Sequence, residues 1–283
     1  MRYNDGQEEV ETMTDPFSIR GQVAVITGGS GVLGREMALA LARAGAKVVV
    51  LSRGLASCER VVAAIQQEGG QAWAFACDVT VRADLERVQA EITRTLGPVS
   101  ILVNAAGGNR AQATTSPELP FFALDEQAIS ETFQLNFTGT LLACQVFGQG
   151  MAEQGAGCIV NISSMASLRP LTRVVSYGAA KAAINNFTQW LAVYLAREYS
   201  PRIRVNALAP GFFLTEQNRF LMLDPQGGYT ARGQAILDHT PAGRFGEPAD
   251  LTGALLWLVS PAASFVTGIV VPIDGGFSAF SGV

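Results

Sequence analysis

Thr27 to Gly34, TGGSGVLG, follows the apolar run Val23 to Ile26 and opens a stretch with helical spacing. A strand, a glycine turn and a helix in that order let backbone N–H groups and a helix N-terminus approach a pyrophosphate. Gly29, Gly31 and Gly34 fit the spacing G-x-G-x-x-G. Thr27, Gly28 and Gly34 fit the wider T-G-x-x-x-G-x-G, except that Val32 stands in place of the middle glycine. Val32 resists a positive φ, so this reading assigns the tight turn to Gly31. With Ser30 and Leu33, the whole of Thr27–Gly34 becomes a candidate dinucleotide cradle.

Outward from this turn, β-branched runs alternate with helix-period segments. Strands are expected at Val23–Thr27, Lys47–Leu51, Ala72–Ala76, Ile101–Val103, Cys158–Ile162, Arg204–Leu208 and Ile269–Pro272. Helices are expected near 34–44, 56–69, 82–96, 126–150, 176–199 and 248–259. Near-continuous apolar strands require cover on both faces, which parallel strands with helical crossovers provide. The expected fold is α/β: a single-domain, Rossmann-type, doubly wound parallel sheet of seven strands with helices on both faces. Residues 1–17 read as a flexible tail and 18–283 as the domain. Residues 212–247 break the alternation as an insertion of lid type on the substrate side.

The 283 residues are 48% hydrophobic and 16% charged, enough to bury a large core. A net charge of −4 argues against nucleic acid as a partner. Cys58, Cys77, Cys144 and Cys158 lie in no metal or redox spacing and read as core residues. The acidic N-terminus lacks the apolar segment of a secretory signal, and Pro261 and Gly268 divide the uncharged run 253–273 into a helix and a strand. The expectation is a cytoplasmic protein with no metal site and no membrane span.

Further stations follow the strand ends. Leu51-Ser52-Arg53 closes the second strand without the acid that would accept a ribose 2′-hydroxyl. Arg53, with Ser52, suits a 2′-phosphate, which favours NADP(H) over NAD(H). Asp78 and Val79 follow the third strand, and Asn104, Ala105, Ala106 and Gly107 the fourth. Tyr177 and Lys181 share a helical face at i and i+4, where an ammonium would lower the phenol's pKa. Ser164 precedes Tyr177 by thirteen positions, and Asn136 lies in the preceding long helix, placed to anchor a buried water.

Together with Pro210, Gly211, Phe213 and Thr215, these residues make the chain resemble the short-chain dehydrogenase/reductase family over about residues 18–283. The resemblance implies that Ser164 polarises a carbonyl and Tyr177 exchanges the proton. It implies that Lys181 tunes the tyrosine and binds ribose, and that Asn136 supports a water relay. The strings TGGSGVLG, NAAGGN, PGFFLTEQNR and VVPIDGGFSAFSGV are similar to the branch that interconverts D-mannonate and D-fructuronate. Asn109, Arg110, Met165, Arg173, Gln217, Asn218 and Arg219 are the candidate substrate contacts, with Arg173, Arg110 and Arg219 offered to the carboxylate. Alternatives are another polyol, a ketose or cyclic ketone, a 3-oxoacyl thioester, or a redox sensor without turnover. The resemblance further implies a homo-oligomer, expected as a tetramer built on the two long helices and the last strand. His239, Trp190 and Trp257 read as structural residues, the tryptophans at core spacing.

Overall fold

The computed structural model describes residues 15–215 and 219–282. Strands β1 (Val23–Thr27), β2 (Lys47–Ser52), β3 (Gln71–Ala76), β4 (Val99–Asn104), β5 (Gly157–Ile162), β6 (Ile203–Pro210) and β7 (Val270–Ile273) form one sheet. All pairings are parallel, in the order β3-β2-β1-β4-β5-β6-β7. Helices α1 (Val32–Arg43), α2 (Leu55–Gln67) and α3 (Arg82–Leu96) alternate with the first four strands. After β4 come α4 (Glu126–Phe133) and α5 (Gly139–Gln154), then α6 (Val175–Glu198) between β5 and β6. The expected Rossmann-type architecture is therefore observed.

The period of two explains why both faces are covered. Ala24 and Ile26 of β1 face a core completed by Met37, Leu41, Val61 and Leu258, whereas Val23 and Val25 face one built on Leu85, Val88, Phe147 and Leu191. All four cysteines are free and buried in these layers, as their spacing suggested. Strand order reverses between β1 and β4, with Thr27 opposite Asn104, so a crevice opens at their carboxyl ends.

Three departures bear on the site. The helix expected over 126–150 is interrupted by a π-helical turn, Gln134–Thr138, where the Gly139 N–H bonds back to the Gln134 carbonyl. Second, segment 212–247 contains α7 (Arg219–Met222) and α8 (Ala231–Asp238) around a small core of Met222, Ile236 and Phe245. Third, Trp190 does not occupy the core: it is 57% exposed and stacks on Tyr194. Trp257, on α9 (Thr252–Val259), packs partly buried against the core. Of the expected tail, residues 1–14 lie outside the described residues, and the Pro16 carbonyl accepts a bond from Ala262 N at 2.8 Å. Among the described residues no helix is long and apolar enough to cross a membrane.

Candidate active site

The glycine turn divides its work differently from the sequence reading. Gly28, not Gly31, adopts the left-handed conformation, with φ 64°. A Cβ on Gly28 would stand 2.7 Å from the Ala105 carbonyl and the Ala106 backbone. Gly31 is extended (φ −75°, ψ 166°) and precedes α1, so Val32 enters the helix in ordinary geometry. The missing middle glycine costs nothing, because that position needs no positive φ. Gly34 lets α1 press against the turn, since a Cβ there would fall 2.3 Å from the Gly28 carbonyl. Gly29 packs into the core against Ile26 and Val50, and its N–H donates to Leu51 O at 3.1 Å. Ser30 sits at the partly buried apex.

No side chain caps α1, so its first-turn N–H groups are left for a ligand. Gly31, Val32, Leu33 and Gly34 line a cleft of about 320 Å³ that also holds Ser164, Tyr177 and Lys181. Thr27 closes the floor: its hydroxyl accepts from Ala106 N at 3.2 Å and its carbonyl from Ala105 N at 3.2 Å. This geometry fits a dinucleotide diphosphate, with an open helix N-terminus and a backbone kept bare by glycine.

A smaller adjoining recess of about 130 Å³ is lined by Gly28, Ser52, Arg53, Asp78, Val79, Ala106 and Gly107. Burial raises the Asp78 carboxyl, but two bonds from Thr80 and the nearby Arg53 outweigh it and hold the group below its ordinary value. Ser52 turns its hydroxyl into the β2–α2 junction, towards Gly54 O at 3.2 Å. Asn104 serves the framework, its amide donating to Asn161 Oδ1 at 2.9 Å.

Tyr177 and Lys181 lie on α6. Lys181 is buried and donates to Ile162 O at 2.8 Å, with its ammonium 5.6 Å from the Tyr177 ring centre. Burial pushes its pKa down to about 8. Burial likewise pushes the Tyr177 phenol up, and a bond with Ser164 pulls it back only in part. The Lys181 ammonium stands near the Tyr177 ring, and burial acts on the phenol in the opposite sense to that nearby charge. Ser164 accepts from Ala166 N at 3.1 Å. A network absent from the sequence reading holds it: Ser163 Oγ donates to Asn185 Oδ1 at 2.5 Å, and Asn185 Nδ2 donates to Ser167 Oγ at 2.8 Å. Ser163 lines the cleft beside Ser164, the serine that the spacing to Tyr177 singled out.

Asn136 clamps the loop that follows β4. Its Oδ1 accepts from Gly108 N at 3.2 Å, and its Nδ2 donates to Gly108 O and Thr132 O, each at 2.7 Å. The π turn gives it this reach, fixing Gly107 and Gly108 beside Lys181. A Cβ on Gly107 would stand 2.7 Å from Asn136 Oδ1 and 3.1 Å from Lys181 Nζ. Pro210, Gly211, Phe213 and Thr215 complete the far wall of the cleft.

The candidate substrate contacts divide. Arg110 pairs with Glu131 at 3.1 Å and lines a recess with Arg53 and Asp78 rather than the cleft that holds Tyr177. Asn109 knits its own loop through Thr114 Oγ1 at 2.8 Å. Met165 is buried directly after Ser164, in the short helical turn that follows it. Arg173 stands exposed on the loop entering α6, and Arg219 exposed at the start of α7. Gln217 and Asn218 lie outside the described residues. His239 follows α8, with Nδ1 2.8 Å from Ala235 O, as a structural residue would.

The short-chain dehydrogenase family profile matches residues 22–225. An uncharacterized oxidoreductase, UxuB, of Bacillus subtilis (strain 168) is 48% identical over 275 residues, covering 94% of this chain and 98% of that one. A solved structure from Haemophilus influenza, provisionally described as a D-mannonate oxidoreductase and holding NAD, is 42% identical with TM-score 0.89, covering 94% and 98% of the two chains. A gluconate 5-dehydrogenase from Burkholderia cenocepacia J2315, in complex with NADP and tartrate, is 31% identical with TM-score 0.85, again covering 94% and 98%. With a family profile matched over most of its length and relatives this similar, the chain belongs to the short-chain dehydrogenases, oxidoreductases acting on CH–OH groups.

Proposed function

We propose that this chain interconverts a sugar-acid carbinol and its keto form with a nicotinamide dinucleotide, and that D-mannonate and D-fructuronate are the pair. The observation that carries the reading is the cleft shared by the α1 N-terminus and Ser164, Tyr177 and Lys181. Likeness to the NAD-bound and NADP-bound relatives supports the cofactor, and their descriptions support a sugar acid. When bound, the nicotinamide supplies or accepts the hydride.

In the reducing direction Ser164 donates a hydrogen bond to the carbonyl oxygen, and the Tyr177 hydroxyl gives the proton that makes it an alcohol. In oxidation the phenolate takes that proton back. Lys181, held by the Ile162 carbonyl, presents its ammonium to the cofactor ribose and to Tyr177. Asn136 keeps the Gly107–Gly108 backbone clear of both. Arg53, exposed at the end of β2 with no acid before it, favours NADP(H), NAD(H) being accepted as well.

The enzyme works in the cytoplasm as a homo-oligomer, neither on nucleic acid nor at a membrane. Four free, buried thiols suit a reducing compartment. The segment 212–247 serves as the lid over the substrate.

An assay of D-mannonate, D-gluconate, their keto acids and matched neutral alditols and ketoses, with both cofactors, tests the reading. Acids should exceed neutral sugars by about tenfold or more in kcat/KM, and Tyr177→Phe should lower kcat by about 10²- to 10⁴-fold. Arg53→Ala should cut NADPH efficiency more than NADH efficiency. Preference for a neutral ketose or a 3-oxoacyl thioester would overturn the substrate, and an unchanged cofactor ratio would remove Arg53.

A further inference from the structure

Arg232 is placed where a cation is costly for three separate reasons. It is the second residue of α8, capped by Thr230, so its charge lies at the positive end of a helix dipole. Its Nε is buried and has no hydrogen-bond partner. A second guanidinium, that of Arg173, faces it closely enough to disfavour its charge, adding to the effect of burial. Among the described residues neither arginine has a carboxylate within ion-pair distance, although five other arginines do. An unpaired, half-buried cation within reach of a second, exposed one raises the free energy of the fold unless an anion joins them.

The backbone holds both partners in place. Arg173 is the one non-glycine among the described residues with a left-handed φ, 77°, and its carbonyl accepts from Thr115 N at 3.0 Å. Such a conformation in an L-residue persists only where its surroundings enforce it. Arg173 precedes Tyr177 by four positions on the loop entering the catalytic helix, and its charge reaches Arg232 on α8. On the α8 side, Gly233 packs so tightly that a Cβ would fall 2.1 Å from the Met222 carbonyl, which fixes α8 against α7.

We propose that Arg232 and Arg173 together seat the carboxylate of the substrate, Arg232 being the specificity-determining residue. The inference rests on the sugar-acid reading above and names the group that enforces it. One carboxylate between two guanidiniums satisfies the buried Nε, screens the like charges and compensates the helix end in a single contact. Arg110, which the sequence offered for this task, is already neutralised by Glu131.

The test compares Arg232→Met, Arg232→Gln, Arg232→Lys and Arg173→Met with wild type on D-mannonate and on the matched neutral alditol. Thermal stability and cofactor affinity certify that each variant is folded. Arg232→Met should raise KM for the acid by at least about 30-fold while leaving the neutral substrate within a few-fold of wild type. Arg232→Lys should retain part of the acid preference, and D-mannonate with NAD should cease to raise the melting temperature of Arg232→Met. If wild type prefers acids and both methionine variants keep that preference, this inference fails and the proposed function stands. If wild type shows no preference for acids, the sugar-acid reading fails and the inference with it.

Discussion

Lys181 carries its charge against burial, and that tension is measurable. Its pKa falls from the ordinary 10.5 to about 8 in the folded chain. Between these values the unfolded chain keeps a proton that the folded chain has released, so this group adds stability as pH rises from about 8 to 10.5. Below pH 8 the buried ammonium opposes folding by up to ~3 kcal/mol. Lys181→Met should therefore be more stable than wild type at pH 7 without cofactor, with the advantage shrinking by pH 9.5. Urea unfolding at the two pH values decides it, and a difference that does not change with pH would refute the burial argument. The YxxxK spacing was legible because i and i+4 share a face on any helix. How far burial would push each group was not, because that depends on what packs around them.

At the scale of elements, the glycine turn and the π turn set the crevice. Gly34 and Gly31 look equivalent in the string GSGVLG, yet they face different constraints. A Cβ on Gly34 meets two backbone atoms, 2.3 Å from Gly28 O and 2.9 Å from Gly29 Cα, whereas one on Gly31 stands 3.3 Å from Gly28 O at ordinary φ. Gly34→Ala should force α1 from the turn, costing about 1–3 kcal/mol of stability and at least tenfold in cofactor affinity. Gly31→Ala should remain within a few-fold of wild type. Calorimetric titration with both cofactors distinguishes them, and equal losses would show that the contact with Gly28 is not what matters. The π turn at Asn136 could not be read from spacing, since one residue more per turn leaves the apolar period over 126–154 nearly intact.

Across the whole molecule, the faces left uncovered point to self-assembly. Helices α5 and α6 present a groove of about 770 Å³ lined by Phe187, Trp190, Leu191, Tyr194 and Tyr199. At the far edge β7 pairs only with β6, close to a fully exposed Phe265. We propose that this apolar surface forms the contacts between subunits. Light scattering should find a tetramer, and Trp190→Asp with Tyr194→Asp should reduce it to a smaller species while the far-ultraviolet circular dichroism is unchanged. A monomeric wild type would overturn the assembly. Trp190 was assigned to the core because helical spacing reports an apolar face without saying whether this chain or another covers it.

What the sequence alone determined is local or periodic. Alternating apolar strands required a sheet covered on both sides, a glycine-rich turn joined the first strand to its helix, and Ser164, Tyr177 and Lys181 stood at spacings that one strand end and one helix bring together. These follow from backbone geometry within a few residues of each position. What the tertiary structure decided is which groups meet across long separations and how dry they become. It paired Arg110 with Glu131, clamped Asn136 onto Gly108, raised the Tyr177 phenol and faced Arg173 with Arg232. Charge pairing and desolvation act through space between packed segments, and the order of residues along the chain does not specify them.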